Sequence, residues 1–215
     1  MDKLFNLPEA KEKEASGTDL KLVKKHSIQQ LKQISSLRDL TESPLPGQMI
    51  FLFTDKSFNA FSFVSYLLVE HAKIDELYLS TYSVSKKILL SFSQLLSTGK
   101  ISKIELLVAD SLKHQRPQVK DQLDRFANRF EALSVKYAWN HSKMALFKIQ
   151  DQYYVVEGSG NWSENSRHEQ YLFANDKELF EFRKECIQKA HEIERWKKNP
   201  LRSSLRLGKG LFVLA

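Results

Sequence analysis

The stretch Val135-Lys-Tyr-Ala-Trp-Asn-His-Ser-Lys-Met-Ala-Leu-Phe-Lys-Ile-Gln-Asp-Gln-Tyr-Tyr-Val-Val-Glu-Gly-Ser-Gly-Asn161 decides the fold. Its apolar runs are short and broken by polar turns, which predicts strands over Val135–Trp139, Lys143–Ile149 and Tyr153–Glu157, with Gln170–Phe173 as a fourth just downstream. Gln150-Asp151-Gln152 joins the middle pair as a hairpin. On a strand, residues two apart point to one face, so His141 and Lys143 can meet the same ligand. The hairpin returns Gly158-Ser159-Gly160-Asn161 to that end, where bare glycine backbone allows close approach and the Ser159 hydroxyl and Asn161 amide offer hydrogen bonds.

Upstream, strands alternate with helices. Met49–Phe53 reads as a strand, and Phe58, Phe61, Val64, Tyr66, Leu68 and Val69 as a buried helix. Leu77–Tyr82 is a strand, Ser85–Leu96 a helix closed by Gly99, and Ile104–Ala109 a strand. Val119, Leu123, Phe126, Phe130 and Leu133 give the clearest amphipathic spacing in the chain. Asp176 caps a predicted helix from Lys177 to about Lys198, with Leu179, Phe182, Cys186, Ala190 and Ile193 inward, so Cys186 is read as a packed thiol. The fold class is α/β: a mixed, mostly parallel β-sheet flanked by helices.

Residues 1–47 are polar and end in Glu-Ser-Pro-Leu-Pro-Gly, which marks a boundary. The mostly three- and four-residue spacing of Leu20, Leu22, Val23, Ile28, Leu31, Ile34 and Leu37 predicts a helix over about 18–40 inside this N-terminal extension. A catalytic domain then spans 48–198, and 199–215 form a basic C-terminal tail. Of the net charge of +7, six come from Arg195 to Ala215, which holds six cations and no acid. That balance favours a polyanionic partner. The single cysteine excludes an internal disulfide and suits a reducing cytoplasm. Met1–Ala10 has no apolar run of the kind an export signal carries, and no stretch approaches the ~20 apolar residues of a membrane span, so we expect a cytoplasmic protein without a membrane partner.

The residue types around His141 suit a phosphodiester. Neutral imidazole can attack phosphorus, Lys143 can balance charge on the non-bridging oxygens, and Ser159 and Asn161 can hold their positions, with no metal and no cofactor in the scheme. A carboxylate on the far ring nitrogen would fix the tautomer. Glu169 is the candidate, with Glu164 and Glu157 as alternatives.

His141-Ser142-Lys143 and Gly158-Ser159-Gly160-Asn161 together resemble the phospholipase D superfamily, whose motif is His-x-Lys, commonly an Asp five residues on, and then Gly-Ser-x-Asn. The resemblance covers about 48–196 and implies a phospholipase D-like fold. Lys148 stands where the family has its Asp, and the longer gap to Gly-Ser-x-Asn is similar to the tyrosyl-DNA phosphodiesterase branch. In the family that Asp is mainly structural.

Family chemistry uses two histidines, and the other five here, His26, His71, His114, His168 and His191, lack the motif. Single-copy members that this chain resembles are bacterial nucleases whose homodimers share a site across a two-fold axis. The resemblance therefore implies a homodimeric nuclease with a phosphohistidine intermediate, acting on nucleic acid, DNA favoured over RNA. The alternatives are a binding module of the same fold without turnover, and a phospholipid hydrolase. Trp162, Phe58, Phe61 and Phe63 are read as core rather than as base-stacking platforms, and His168 as a surface residue.

Overall fold

The computed structural model describes residues 28–34, 36–40, 42–54, 60–162 and 168–190. Buried side chains alternate between two layers along Ile74–Thr81: Leu77 and Leu79 face one, Tyr78 the other. This strand is therefore covered on both sides and reads as a nearly continuous apolar run.

The strands are β1 (Ile28–Ile34), β2 (Gln48–Thr54), β3 (Ile74–Thr81), β4 (Ile101–Ala109), β5 (Leu133–Ala138), β6 (Met144–Ile149), β7 (Gln152–Gly158) and β8 (Gln170–Asn175). The helices are α1 (Phe61–His71), α2 (Lys86–Ser97), α3 (Leu112–Gln115), α4 (Pro117–Arg129) and α5 (Lys177–Lys189). All eight strands form one sheet in the order β1-β2-β8-β7-β6-β3-β4-β5. Among the described residues β1–β2, β3–β4 and β4–β5 are parallel, while β2–β8, β3–β6, β6–β7 and β7–β8 are antiparallel. The mixed α/β fold is as expected, but parallel pairing is the minority. The hairpin β6–β7 and its continuation into β8 insert three antiparallel strands between β2 and β3, which chain-order alternation of strand and helix does not reveal.

The larger core lies on one face, where Phe63, Val64 and Leu67 of α1, Ile88, Leu89 and Phe92 of α2 and Val119 and Leu123 of α4 meet Leu77, Leu79, Leu106, Phe147, Tyr154 and Phe173. On the other face Phe180 and Ile187 of α5 cover Tyr78, Leu107, Leu146 and Val155. Asp176 caps α5 by accepting from the Leu179 amide, as the sequence predicts, and Ser85, read as the first helical residue, instead caps α2 by accepting from the Ile88 amide. Gly99 takes the left-handed conformation that ends α2, at φ 69°.

Four sequence expectations are corrected. Residues 28–34 are a strand, not part of a helix over 18–40; parallel pairing with β2 overrides a three- and four-residue spacing that is only a weak preference, and residues 1–27 lie outside the described residues. On α1, Val69 is 89% exposed, and Phe63, Val64 and Leu67 are the buried residues; Phe58 lies outside the described residues.

On α5 the inward residues are Phe180 and Ile187, with Leu179 and Ala190 partly packed, while Phe182 and Cys186 are exposed. The inward stripe includes Arg183, paired with Glu157, and Lys184, 3.9 Å from Glu76, so two cations disguise it in the sequence. Ile193 and the basic tail lie outside the described residues. Finally, His141 and Lys143 lie in the connection just before β6 rather than on it.

Candidate functional site

Strand direction gathers the candidate residues at one end of the sheet. Lys143 precedes β6, Gly158 ends β7, and the Gly158 amide donates to the Lys143 carbonyl at 3.2 Å. Glu169 precedes β8 and lies beside Thr54 at the end of β2: the Glu169 amide donates to Thr54 Oγ1 at 2.8 Å and the Thr54 amide to the Glu169 carbonyl at 2.9 Å. This is the carboxyl end of β2, β3, β4 and β5, the customary position for ligands in open α/β sheets.

His141 is exposed and Lys143 half-buried, with Lys143 Nζ 3.3 Å from His141 Nδ1 and 2.9 Å from the His141 carbonyl oxygen, to which it donates. Burial pushes the Lys143 ammonium below the usual lysine range, and the Glu169 charge partly offsets that. The residue between them is an anchor. Ser142 donates its amide to Asn140 Oδ1 at 3.0 Å, its hydroxyl lies 2.7 Å from the same oxygen and 2.5 Å from Ser80 Oγ, and Asn140 Nδ2 donates to the Thr81 carbonyl at 3.2 Å. The loop carrying His141 and Lys143 is thus tied to the end of β3 on both sides.

Ser159 donates its hydroxyl to the carboxylate of Glu169, which is buried, and accepts from the Gln170 amide at 3.2 Å. The Ser159 amide donates to the Gln170 carbonyl at 3.1 Å. A side chain at Gly158 would overlap the Gln170 carbonyl oxygen and the Tyr171 ring, and one at Gly160 would overlap the Tyr171 hydroxyl. Both glycines are needed so that this turn can lie over Tyr171. Asn161 Oδ1 is buried and has no hydrogen-bond partner among the described residues.

The structure thus brings His141 against Lys143 and Ser159 against Glu169, with Asn161 closing the same turn. Of the alternatives to Glu169, Glu157 pairs with Arg183 and Glu164 lies outside the described residues. Trp162 and Phe63 are buried in the core, as read from the sequence. His168 is exposed and stacks on Phe53 with ring centroids 5.6 Å apart. Sequence reasoning missed Asn140, Ser80, Thr54 and Tyr82. Tyr82 sets its ring 5.1 Å from that of His141 at 55°. Only Asn140, adjacent to the motif and of a type that closes short turns, carried a local signal.

No protein-family model and no curated protein matches the chain. Among solved structures, polyphosphate kinase from Porphyromonas gingivalis is similar with a TM-score of 0.50 and 17% identity, over 68% of this chain and 27% of that one. Phosphatidylserine synthase from Haemophilus influenzae Rd KW20 is similar with a TM-score of 0.46 and 16% identity, over 74% of this chain and 44% of that one. The chain spans well under two thirds of the length of either. The likeness to the kinase is one of fold, a mixed α/β sheet flanked by helices. No helix among the described residues is long and apolar enough to cross a membrane.

Proposed function

We propose that this protein is a phospholipase D-type phosphodiesterase that hydrolyses nucleic acid, DNA in preference to RNA, as a homodimer and without a metal. The observation that carries the reading is an exposed imidazole with an ammonium 3.3 Å away, at the sheet end that also holds Ser159, Asn161 and a buried carboxylate.

The resting contact has a chemical consequence. An ammonium has only donors, so with Lys143 facing Nδ1 a neutral His141 ring keeps its proton on Nε2. A bound diester draws Lys143 onto its non-bridging oxygens; the ring then gives its Nε2 proton to solvent water and takes one from water on Nδ1, where Glu169 is the proposed acceptor of that N–H. The Nε2 lone pair attacks phosphorus, and the bond from phosphorus to the leaving oxygen breaks as the partner subunit's His141 protonates that oxygen. Water, losing a proton to the same imidazole, attacks the phosphohistidine. The P–N bond breaks and His141 returns to its starting state. Ser159 and Asn161 steady the phosphoryl oxygens, and Lys143 neutralises their charge.

The test is cleavage of single- and double-stranded DNA in EDTA by the wild-type chain and by His141→Ala. Turnover that persists in EDTA, vanishes in His141→Ala and passes through an acid-labile, base-stable phosphoprotein is expected. Tight, salt-sensitive binding with no cleavage would replace this reading with a binding module.

A further inference from the structure

Trp139 ends the approach to His141, and its side chain is 56% exposed where Trp162 is 1% and Phe63 0% exposed. It lies two residues before His141, at most about 7 Å of backbone away. Tyr82 turns its ring toward His141 and donates its hydroxyl to Gln115 Oε1 at 3.4 Å. Hydrogen bonds with Ser111 and Gln115, together with the Arg116 charge, hold this phenol below its usual range.

The two segments that follow β3 and β4 are basic. Residues 82–87 and 111–116, which follow β3 and β4 at this end of the sheet, contain Lys86, Lys87, Lys113 and Arg116 and no carboxylate; the nearest acid in sequence is Asp110. Lys86, Lys87 and Arg116 are exposed, and Lys86 Nζ donates to Gln118 Oε1 at 3.0 Å, joining the two segments. Helices α2 and α4 both begin here, which adds the positive ends of two helix dipoles.

We propose that this edge is a track for single-stranded nucleic acid: one base stacks on Trp139 beside Tyr82, Lys86, Lys87 and Arg116 hold the phosphates that follow, and His141 receives the diester between. This rests on the nuclease reading of the site and narrows its substrate. An exposed indole can stack only on a base that is not already stacked within a duplex, so the track selects unpaired strand.

Binding of a fluorescent 20-nucleotide oligothymidylate to full-length His141→Asn protein, with and without further substitutions, tests it. A stacked base contributes about 1–3 kcal/mol, so Trp139→Ala should weaken binding roughly 5- to 150-fold and Trp139→Phe should recover most of it. Lys86→Ser with Arg116→Ser should lower the slope of log K against log salt by about 0.7 for each phosphate no longer neutralised. A duplex of the same length should bind more weakly and ignore Trp139→Ala.

Unchanged oligothymidylate affinity in Trp139→Ala, or equal affinity for duplex, overturns the track. If the wild-type chain meanwhile hydrolyses bis(p-nitrophenyl) phosphate in a His141-dependent way, the reading of the site stands without it. Trp139-dependent binding by a chain that hydrolyses neither substrate supports the track and overturns the proposed turnover.

Discussion

Lys148 and Glu76 stand directly opposite each other on the antiparallel strands β6 and β3, and Lys148 Nζ donates to Glu76 Oε1 at 2.9 Å. Lys148 occupies the position where the family resemblance calls for Asp. It lies four residues along β6 from Met144, about 13 Å from the end that carries His141 and Lys143. The substitution therefore changes a cross-strand pair and not the proposed phosphate site. Lys148→Asp would put two carboxylates face to face. We expect it to cost about 1–2 kcal/mol and lower Tm by roughly 2–8 °C, because both side chains are partly exposed and the original ion pair is screened. Thermal unfolding measures this, and hydrolysis of a small diester should be unaltered. A fall in kcat with no change in Tm would contradict it.

Glu76 also sets an acid limit on stability. Burial alone would raise its pKa, but hydrogen bonds from Tyr78 and Lys148 and the charges of Lys148 and Lys184 outweigh that and bring it below the ordinary value of 4.5. The unfolded chain thus holds more protons in this range, and stability rises with pH there. The contribution is complete above about 4.5 and is lost as pH falls through the depressed folded value. Denaturant unfolding between pH 3 and about 7 should show a shallower acid decline for Glu76→Gln than for the wild-type chain. Parallel curves would show that Glu76 is not the group responsible.

The two motif glycines make separable demands. Beside Gly158 the obstacle is the Gln170 backbone carbonyl together with the Tyr171 ring, whereas beside Gly160 it is the Tyr171 hydroxyl, with Cζ next at 3.0 Å. Either alanine substitution should cost about 1–3 kcal/mol by overpacking. Tyr171→Phe removes the hydroxyl and should recover much of the loss in Gly160→Ala while leaving Gly158→Ala as it was. A double-mutant cycle in urea reads the coupling, and equal rescue of both glycines would show that the turn does not rest on Tyr171 as described.

Why some of this was legible in the sequence and some not follows from where the information resides. The hairpin, the cap Asp176, and the spacing of His141, Lys143 and the Gly-Ser-Gly-Asn turn are local, and local chemistry determines them. The position of β8 between β2 and β7 depends on pairings between distant residues such as Phe51 with Leu172. The network from Asn140 through Ser142 to Ser80 likewise joins residues that no window contains. Strand β1 and the inward face of α5 were misread for a third reason: edge pairing and paired cations set them, and apolar periodicity records neither.

Glu169 should tune Lys143. Its charge works against the burial that depresses the lysine, so Glu169→Gln should drive the Lys143 pKa lower still. A lysine must be protonated to hold a phosphoryl oxygen. Inhibition by vanadate should therefore fail at a lower pH in Glu169→Gln than in the wild-type chain, on the alkaline side. Gln can still accept from the Ser159 hydroxyl, so loss of that bond would not account for the shift. An alkaline limb that stays in place would separate Glu169 from Lys143 functionally.

The proposed shared site predicts how activity responds to dilution with inactive chains. If each site needs His141 from both subunits, a mixed dimer of wild-type and His141→Ala chains is dead, and only dimers with two wild-type chains turn over. After full subunit exchange at constant wild-type concentration, one equivalent of His141→Ala should reduce activity to about half and nine equivalents to about a tenth, because the wild-type homodimer population falls with the square of the wild-type fraction while total dimer rises. Chains with self-contained sites would keep their full activity at every ratio, even if they dimerised for another reason. Light scattering on the same mixtures confirms that dimers persist throughout. Undiminished activity in exchanged dimers would therefore refute the two-histidine mechanism while leaving phosphodiester hydrolysis by a single chain intact.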